Sequence, residues 1–124
     1  MVRRYAQVVG IVLLLIGVGG LVLGDQVLAN ALNIDILEDI VHLVTGALLV
    51  YVGFAQRDDR ITRNVVGGLG IVFALVGVLG FITPTLFGLI PHGYTVVDDL
   101  IHIALGALSI VVAWFLPGAR RAIA

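Results

Sequence analysis

Four apolar segments, each close to twenty residues long, constrain the fold of this chain more than any other feature. They lie at about 5–24, 36–56, 64–83 and 96–116. A helix needs about 20 apolar residues to cross the roughly 30 Å of hydrocarbon in a bilayer. Because backbone groups in lipid must find partners within the chain, helices are the expected form. The sequence therefore predicts an all-α integral membrane protein, a four-helix bundle whose first segment is too long for a cleaved signal peptide.

Composition excludes several classes of function. Of the 124 residues, 60% are hydrophobic and 12% are charged, against about 25% charged in soluble domains. The net charge is −1 and there is no basic run, so nucleic acid is not an expected partner. The chain has no Cys and no Lys, which excludes thiolate chemistry and Schiff bases. The single serine, Ser109, lies mid-helix without a nucleophile elbow. We therefore expect no enzymatic activity.

The arginines predict the orientation of the chain. All seven flank the same predicted side of the membrane: Arg3, Arg4, Arg57, Arg60, Arg63, Arg120 and Arg121. The connections 25–35 and 84–95 contain none. Since cytoplasmic loops carry an excess of Arg and Lys, both termini are expected in the cytoplasm.

A shift of sixty positions aligns the first half of the chain with the second, without a gap. An acid, a histidine and a glycine recur at the same spacing: Asp39, His42 and Gly46 align with Asp99, His102 and Gly106. Two helix hairpins that both enter from the cytoplasm would be parallel repeats. The expected organisation is one transmembrane domain over 1–124, made of a repeat at about 3–56, a cytoplasmic loop 57–62, a repeat at about 63–116 and a tail 117–124.

Glycines seven residues apart recur in the first and third helices, at Gly10, Gly17, Gly70 and Gly77. Seven residues return to nearly the same face of a helix, so these positions are expected to be packing stripes. The leading functional expectation follows from them. The protein would be a structural or accessory subunit that associates through its glycine-lined faces, with itself or with other membrane subunits, and would bind no cofactor.

The paired acids and histidines are the only feature of the sequence that suggests a specific chemistry. Asp39 and His42, like Asp99 and His102, are three residues apart and share a helix face. Ionisable groups within a span are costly and normally face the bundle interior. The acids just before them have another explanation, since Glu38 and Asp98 lie three residues after Asp35 and Thr95, the spacing of a capping box.

Four interpretations of the Asp/His pairs stay open at this point. The pairs could hydrogen-bond across the bundle and determine how its halves dock. Asp39, His42, Asp99 and His102 could bind a metal such as zinc, iron or manganese. His42 and His102 could ligate a haem or pigment, with the glycine four residues later leaving room for a flat ring. The pairs could also carry protons or ions.

A set of motifs runs along most of the chain: RYAQVVG at 4–10, GVLGF at 77–81 and the two Asp-x-x-His-x-x-x-Gly runs at 39–46 and 99–106. In these motifs the chain resembles a family of small bacterial four-span membrane proteins, domain of unknown function 4383. The resemblance covers most of the chain. That family has no assigned activity, substrate or cofactor, so the resemblance implies the four-span topology and a bacterial inner membrane, and draws attention to His42 and His102.

Overall fold

The structure is a computed structural model, and it describes residues 1–116. The predicted C-terminal tail 117–124, with Arg120 and Arg121, lies outside the described residues.

Four long helices and one short hairpin make up the described chain. They are α1 (Val2–Leu23), a hairpin of β1 (Gln26–Leu28) and β2 (Leu32–Ile34), α2 (Ile36–Phe54), α3 (Asp59–Ile82) and α4 (Val96–Ile110), which continues as a π-helical turn over Val111–Phe115. All four helices are long and apolar enough to cross a membrane. This confirms the all-α prediction with four candidate spans and indicates a membrane protein.

Helix α3 begins earlier than the sequence pattern predicts. The predicted loop covered 57–62, whereas α3 begins at Asp59. The side chain of Asp58 accepts a hydrogen bond from Arg60 N at 2.8 Å, and so satisfies one of the free N–H groups at the helix start. The hydropathy pattern missed this turn because it is polar.

The helices pack as two close pairs, α1 with α2 and α3 with α4. A Cβ at Gly10 would lie 2.8 Å from Val50 N, and one at Gly70 would lie 2.8 Å from the Gly106 carbonyl oxygen. Both distances are shorter than van der Waals contact, so the backbones approach as closely as only glycine permits.

Side-chain hydrogen bonds link the helices at the end of the bundle that holds Met1 and the α2–α3 turn, here called the terminal end. Arg3 donates to the carbonyl oxygens of Gln56 and Val52. Thr62 Oγ1 donates to Val52 O at 2.9 Å. On the same side of the core, Tyr5 and Ser109 join α1 to α4 through their hydroxyl oxygens, 2.6 Å apart.

The opposite end, here called the hairpin end, carries the β1–β2 hairpin and the connection 83–95. Ala29 and Asn30 have φ of 52° and 57°, in the left-handed region, and Ala31 N donates to the Leu28 carbonyl oxygen at 3.0 Å, which closes the hairpin turn. The hairpin is bonded to the start of α4, because Asn33 N donates to both oxygens of Asp98 at 3.0 and 3.1 Å. Thr95 Oγ1 also donates to the Ala31 carbonyl oxygen.

Candidate functional site

The start of α4 is built as a helix cap. Thr95 Oγ1 accepts from Asp98 N at 3.1 Å, and the Asp98 carboxylate accepts from Thr95 N at 2.9 Å. This reciprocal pair is the capping box that the sequence predicts. Because the same carboxylate also accepts from Asn33 N, Asp98 is a structural group whose acceptor capacity is used locally.

The start of α2 has the same spacing and a different outcome. Asp35 caps the helix by accepting from Glu38 N at 2.9 Å. The Glu38 carboxylate instead accepts from Asn33 Nδ2 at 3.1 Å, and its Oε1 lies 3.5 Å from His102 Nε2 on α4. The Glu38 side chain is buried, with 7% of its surface exposed. The sequence predicts a capping role for Glu38, whereas in the structure its carboxylate points into the bundle towards His102.

Three potential metal ligands meet at this point. Glu38 and His42 lie one helical turn apart on α2, and His102 reaches them from α4. One ligand atom from each residue lies within 4.8 Å of the others. Zinc–ligand bonds of about 2.0–2.2 Å place neighbouring ligand atoms roughly 3.4 Å apart in a tetrahedral site. The Glu38–His102 distance of 3.5 Å already matches that spacing.

Aromatic rings hold His102 in place. Phe73 of α3 stacks on its imidazole, with the ring centroids 6.3 Å apart and the planes 7° from parallel. Tyr94 contacts it edge-on at 5.2 Å and 75°. Burial raises the pKa of the Tyr94 hydroxyl, and the nearby Glu38 carboxylate raises it further, so this neighbour of His102 stays neutral.

Several buried polar atoms near the three ligands lack a hydrogen-bond partner within residues 1–116. They are Asn33 Oδ1, His42 Nδ1 and His102 Nδ1. An unsatisfied buried polar group costs about 1–3 kcal/mol. Each of the two imidazoles thus has one buried nitrogen that no described protein group satisfies.

Asp39 and Asp99, the predicted acidic partners of the histidines, point elsewhere. A Cβ at Gly20 would lie 1.8 Å from Asp39 Oδ1, and a Cβ at Gly80 would lie 1.8 Å from Asp99 Oδ1. Each carboxyl group therefore sits in a notch that a glycine leaves on the neighbouring helix. The structure brings His42 and His102 together with Glu38, and places both aspartates against α1 and α3.

The glycines that follow the histidines also contact backbone. A Cβ at Gly46 would lie 2.9 Å from Leu14 N, and one at Gly106 would lie 2.5 Å from Ala74 N. These positions are filled by helix packing, which leaves no slot there for a flat ring. The other predicted packing glycines, Gly17 and Gly77, lie against Leu43 and Ile103.

A cavity of about 350 Å³ adjoins the three ligands. Side chains of α1, α2, α4 and the hairpin line it, including Glu38, His42 and His102. Its wall is otherwise mostly apolar. The arrangement combines two imidazoles and a carboxylate with an apolar space beside them.

Comparisons with protein-family models, with curated proteins and with solved structures give no match to this chain. The resemblance to the small four-span family stays a prediction.

Proposed function

We propose that this membrane protein binds a divalent transition-metal ion through Glu38, His42 and His102. The observation that carries the proposal is the convergence of the three ligand atoms within 4.8 Å, from two helices. Two histidines with one carboxylate form a donor set that both zinc and ferrous iron accept. The proposed role is metal binding without catalysis, in line with the expectation of a non-enzymatic protein.

An ion fits this geometry better than a haem or pigment does. A ring ligated by both imidazoles would have to lie between them. The Glu38 carboxylate lies 3.5 Å from His102 Nε2, and Phe73 and Tyr94 cover the ring of His102. A single ion needs only the space that the three ligand atoms already surround.

The topology predicted from the arginines places this site near the outer face of the membrane. Both termini would be cytoplasmic, with Arg3 and the charged α2–α3 turn at the terminal end. The proposed duplication supports the same picture. Asp39 with Gly20 and Asp99 with Gly80 repeat one contact sixty residues apart, and the two histidines would come from equivalent positions of two parallel repeats.

The accessory-subunit hypothesis receives less support from these contacts. It relied on glycine-lined faces to bind partner helices. Gly10 and Gly17 lie against α2, and Gly70 and Gly77 lie against α4, so all four are used within the chain. A partner would have to bind another surface.

Metal binding can be measured on the protein purified in lipid nanodiscs, stripped with a chelator and titrated with Zn²⁺. We expect one ion per chain. Replacing either ligand, in His42→Ala or His102→Ala, is expected to weaken zinc binding by about 100-fold or more, since a lost ligand costs at least as much as a lost ligand-orienting partner.

His92→Ala supplies the matched control. His92 is the one histidine of the three that lies outside the proposed site, and it is exposed in the 83–95 connection. Its replacement should leave the stoichiometry and affinity unchanged. Wild-type protein that binds no zinc, or a His42→Ala/His102→Ala double variant that still binds one ion, would show that the histidines are structural.

A further inference from the structure

The cavity beside the three ligands is larger and more apolar than an ion requires. Its volume of about 350 Å³ falls within the roughly 300–1,000 Å³ of small-molecule sites. Apolar side chains of α1, α4 and the hairpin form most of its wall: Ile16, Leu23, Leu28, Leu32, Ile34 and Ile101. Such a wall favours a ligand with a hydrocarbon part.

Two residues that line the cavity are also exposed on the surface of the bundle. Ile16 on α1 and Ile101 on α4 both line it, and they are 48% and 49% exposed. Each lies about 8–11 Å along its helix from the hairpin end, at 1.5 Å per residue. That depth is within the hydrocarbon of a bilayer, so a ligand would enter from the membrane.

Gly19 keeps this space open. It lines the cavity, and a Cβ built on it would meet nothing within 4 Å. The position sixty residues later carries Leu79. The first half of the chain therefore has a gap where the second half has a leucine side chain.

The charge around the cavity selects the chemistry of the ligand. Asp39 and Asp98 line the cavity together with Glu38. An anionic ligand would therefore be repelled by these carboxylates. Three protein ligands leave a fourth position of a tetrahedral ion open. A neutral oxygen atom can occupy that position without adding charge.

We propose that the cavity binds a neutral single-chain lipid whose hydroxyl or carbonyl oxygen completes the coordination of the metal. The chain of this lipid lies along the apolar wall and its oxygen faces Glu38, His42 and His102. This inference rests on the proposed metal site, which supplies the polar anchor.

The test uses the full chain in phosphatidylcholine nanodiscs, loaded with Co²⁺, whose visible absorption changes with coordination. The probes share chain length and differ in the head: 1-decanol, 2-decanone, decanoate and decane. We expect the alcohol or the ketone to change the cobalt spectrum saturably, and decanoate and decane to leave it unchanged. The alcohol and ketone arms distinguish a hydroxyl from a carbonyl donor.

Two leucine variants locate the binding. Gly19→Leu places a side chain in the cavity and should weaken the response to the alcohol or ketone by about tenfold or more, which corresponds to about 1.4 kcal/mol. Gly68→Leu is the matched control, since a Cβ there also meets nothing within 4 Å and the residue lies on α3, away from the cavity. Its response should equal that of the wild type.

The outcomes separate the two proposals. Wild-type protein that binds no cobalt contradicts the metal site, and the lipid inference falls with it. Protein that binds cobalt and responds to none of the four probes contradicts the lipid inference alone. A change in the cobalt spectrum with decanoate only would contradict a neutral oxygen donor. An undiminished response in Gly19→Leu would contradict the position proposed for the hydrocarbon chain of the lipid.

Discussion

The starts of α2 and α4 have the same acid spacing and use it differently. In α4, Asp98 closes a capping box with Thr95 and accepts from Asn33 N. In α2, Asp35 caps alone, and Glu38, one methylene longer than Asp98, reaches His102 across the bundle. Two carboxylates at equivalent helix starts can therefore have different partners: Asp98 bonds the local backbone, and Glu38 reaches a histidine on another helix.

The surroundings of His42 and His102 also differ between the two halves of the sequence. His102 is enclosed by Phe73 and Tyr94, whereas the positions sixty residues earlier carry Leu13 and Ile34. Gly19 opens a cavity on the first half, and Leu79 stands at the equivalent position of the second. The candidate site thus has aromatic rings against His102 on one side and the cavity on the other.

The largest difference in stability is expected between variants at the starts of α4 and α2. Asp98→Ala removes the acceptor of Thr95 N and of Asn33 N, so the free energy of unfolding should fall by about 2–4 kcal/mol. Glu38→Ala loses one hydrogen bond from Asn33 and should cost about 1 kcal/mol. Unfolding in bicelles would measure both, and equal losses would contradict the division of roles.

The glycine notches are expected to be equivalent in the two halves. Gly20→Ala and Gly80→Ala each force a buried aspartate to move, which should cost about 1–3 kcal/mol of unfolding free energy. The neighbouring Gly19→Ala meets nothing within 4 Å and should be neutral or stabilising. Removing the aspartate in a Gly20→Ala/Asp39→Ala double variant should recover part of the loss, and strict additivity in the same unfolding assay would argue against the contact.

Exchanging the two acids affects binding more than folding. Glu38→Asp shortens the side chain by one methylene and should weaken zinc binding by about 10- to 100-fold. The free energy of unfolding should fall by no more than the value of about 1 kcal/mol expected for Glu38→Ala. Asp98→Glu keeps a residue that capping boxes accept and should leave zinc affinity unaltered. Calorimetric titration of the two variants checks this, and a reversed pattern would assign the ligand role to Asp98.

The smallest effect concerns Tyr94. Burial raises the pKa of its hydroxyl, and a raised pKa favours the protonated form. The hydroxyl should therefore keep its proton at pH 10–11, where an ordinary tyrosine, with a pKa of about 10, ionises. The ultraviolet titration of Tyr94→Phe should match that of the wild type over this range, and a missing ionisation step in the variant would show that Tyr94 is solvated.

Much of the fold follows from local signals in the sequence. Apolar segment length predicts the four spans, and the Thr95–Asp98 spacing predicts the cap that the structure contains. The approach of His42 to His102 is consistent with their equivalent positions in the two halves. The hairpin turn at Ala29 and Asn30 gave a weaker signal, because it lacks the Asn-Gly or Asp-Gly pair that most strongly indicates a hairpin.

The composition of the site was harder to predict. Glu38 satisfies the capping pattern, so its reach across the bundle depends on how α2 and α4 are rotated against each other. The same holds for Asp39 and Asp99, whose spacing to the histidines suggested a local pair and whose carboxyl groups lie in glycine notches of neighbouring helices. Contacts between helices depend on packing angles that no single helix encodes.

X-ray absorption spectroscopy of the zinc-loaded protein tests the central claim most directly. We expect about two imidazole ligands, with oxygen or nitrogen atoms at about 2.0–2.2 Å from the zinc. His102→Ala should show one imidazole fewer, and His92→Ala should show no change. A spectrum without imidazole scattering, or one that His102→Ala leaves unaltered, would contradict a metal site at Glu38, His42 and His102.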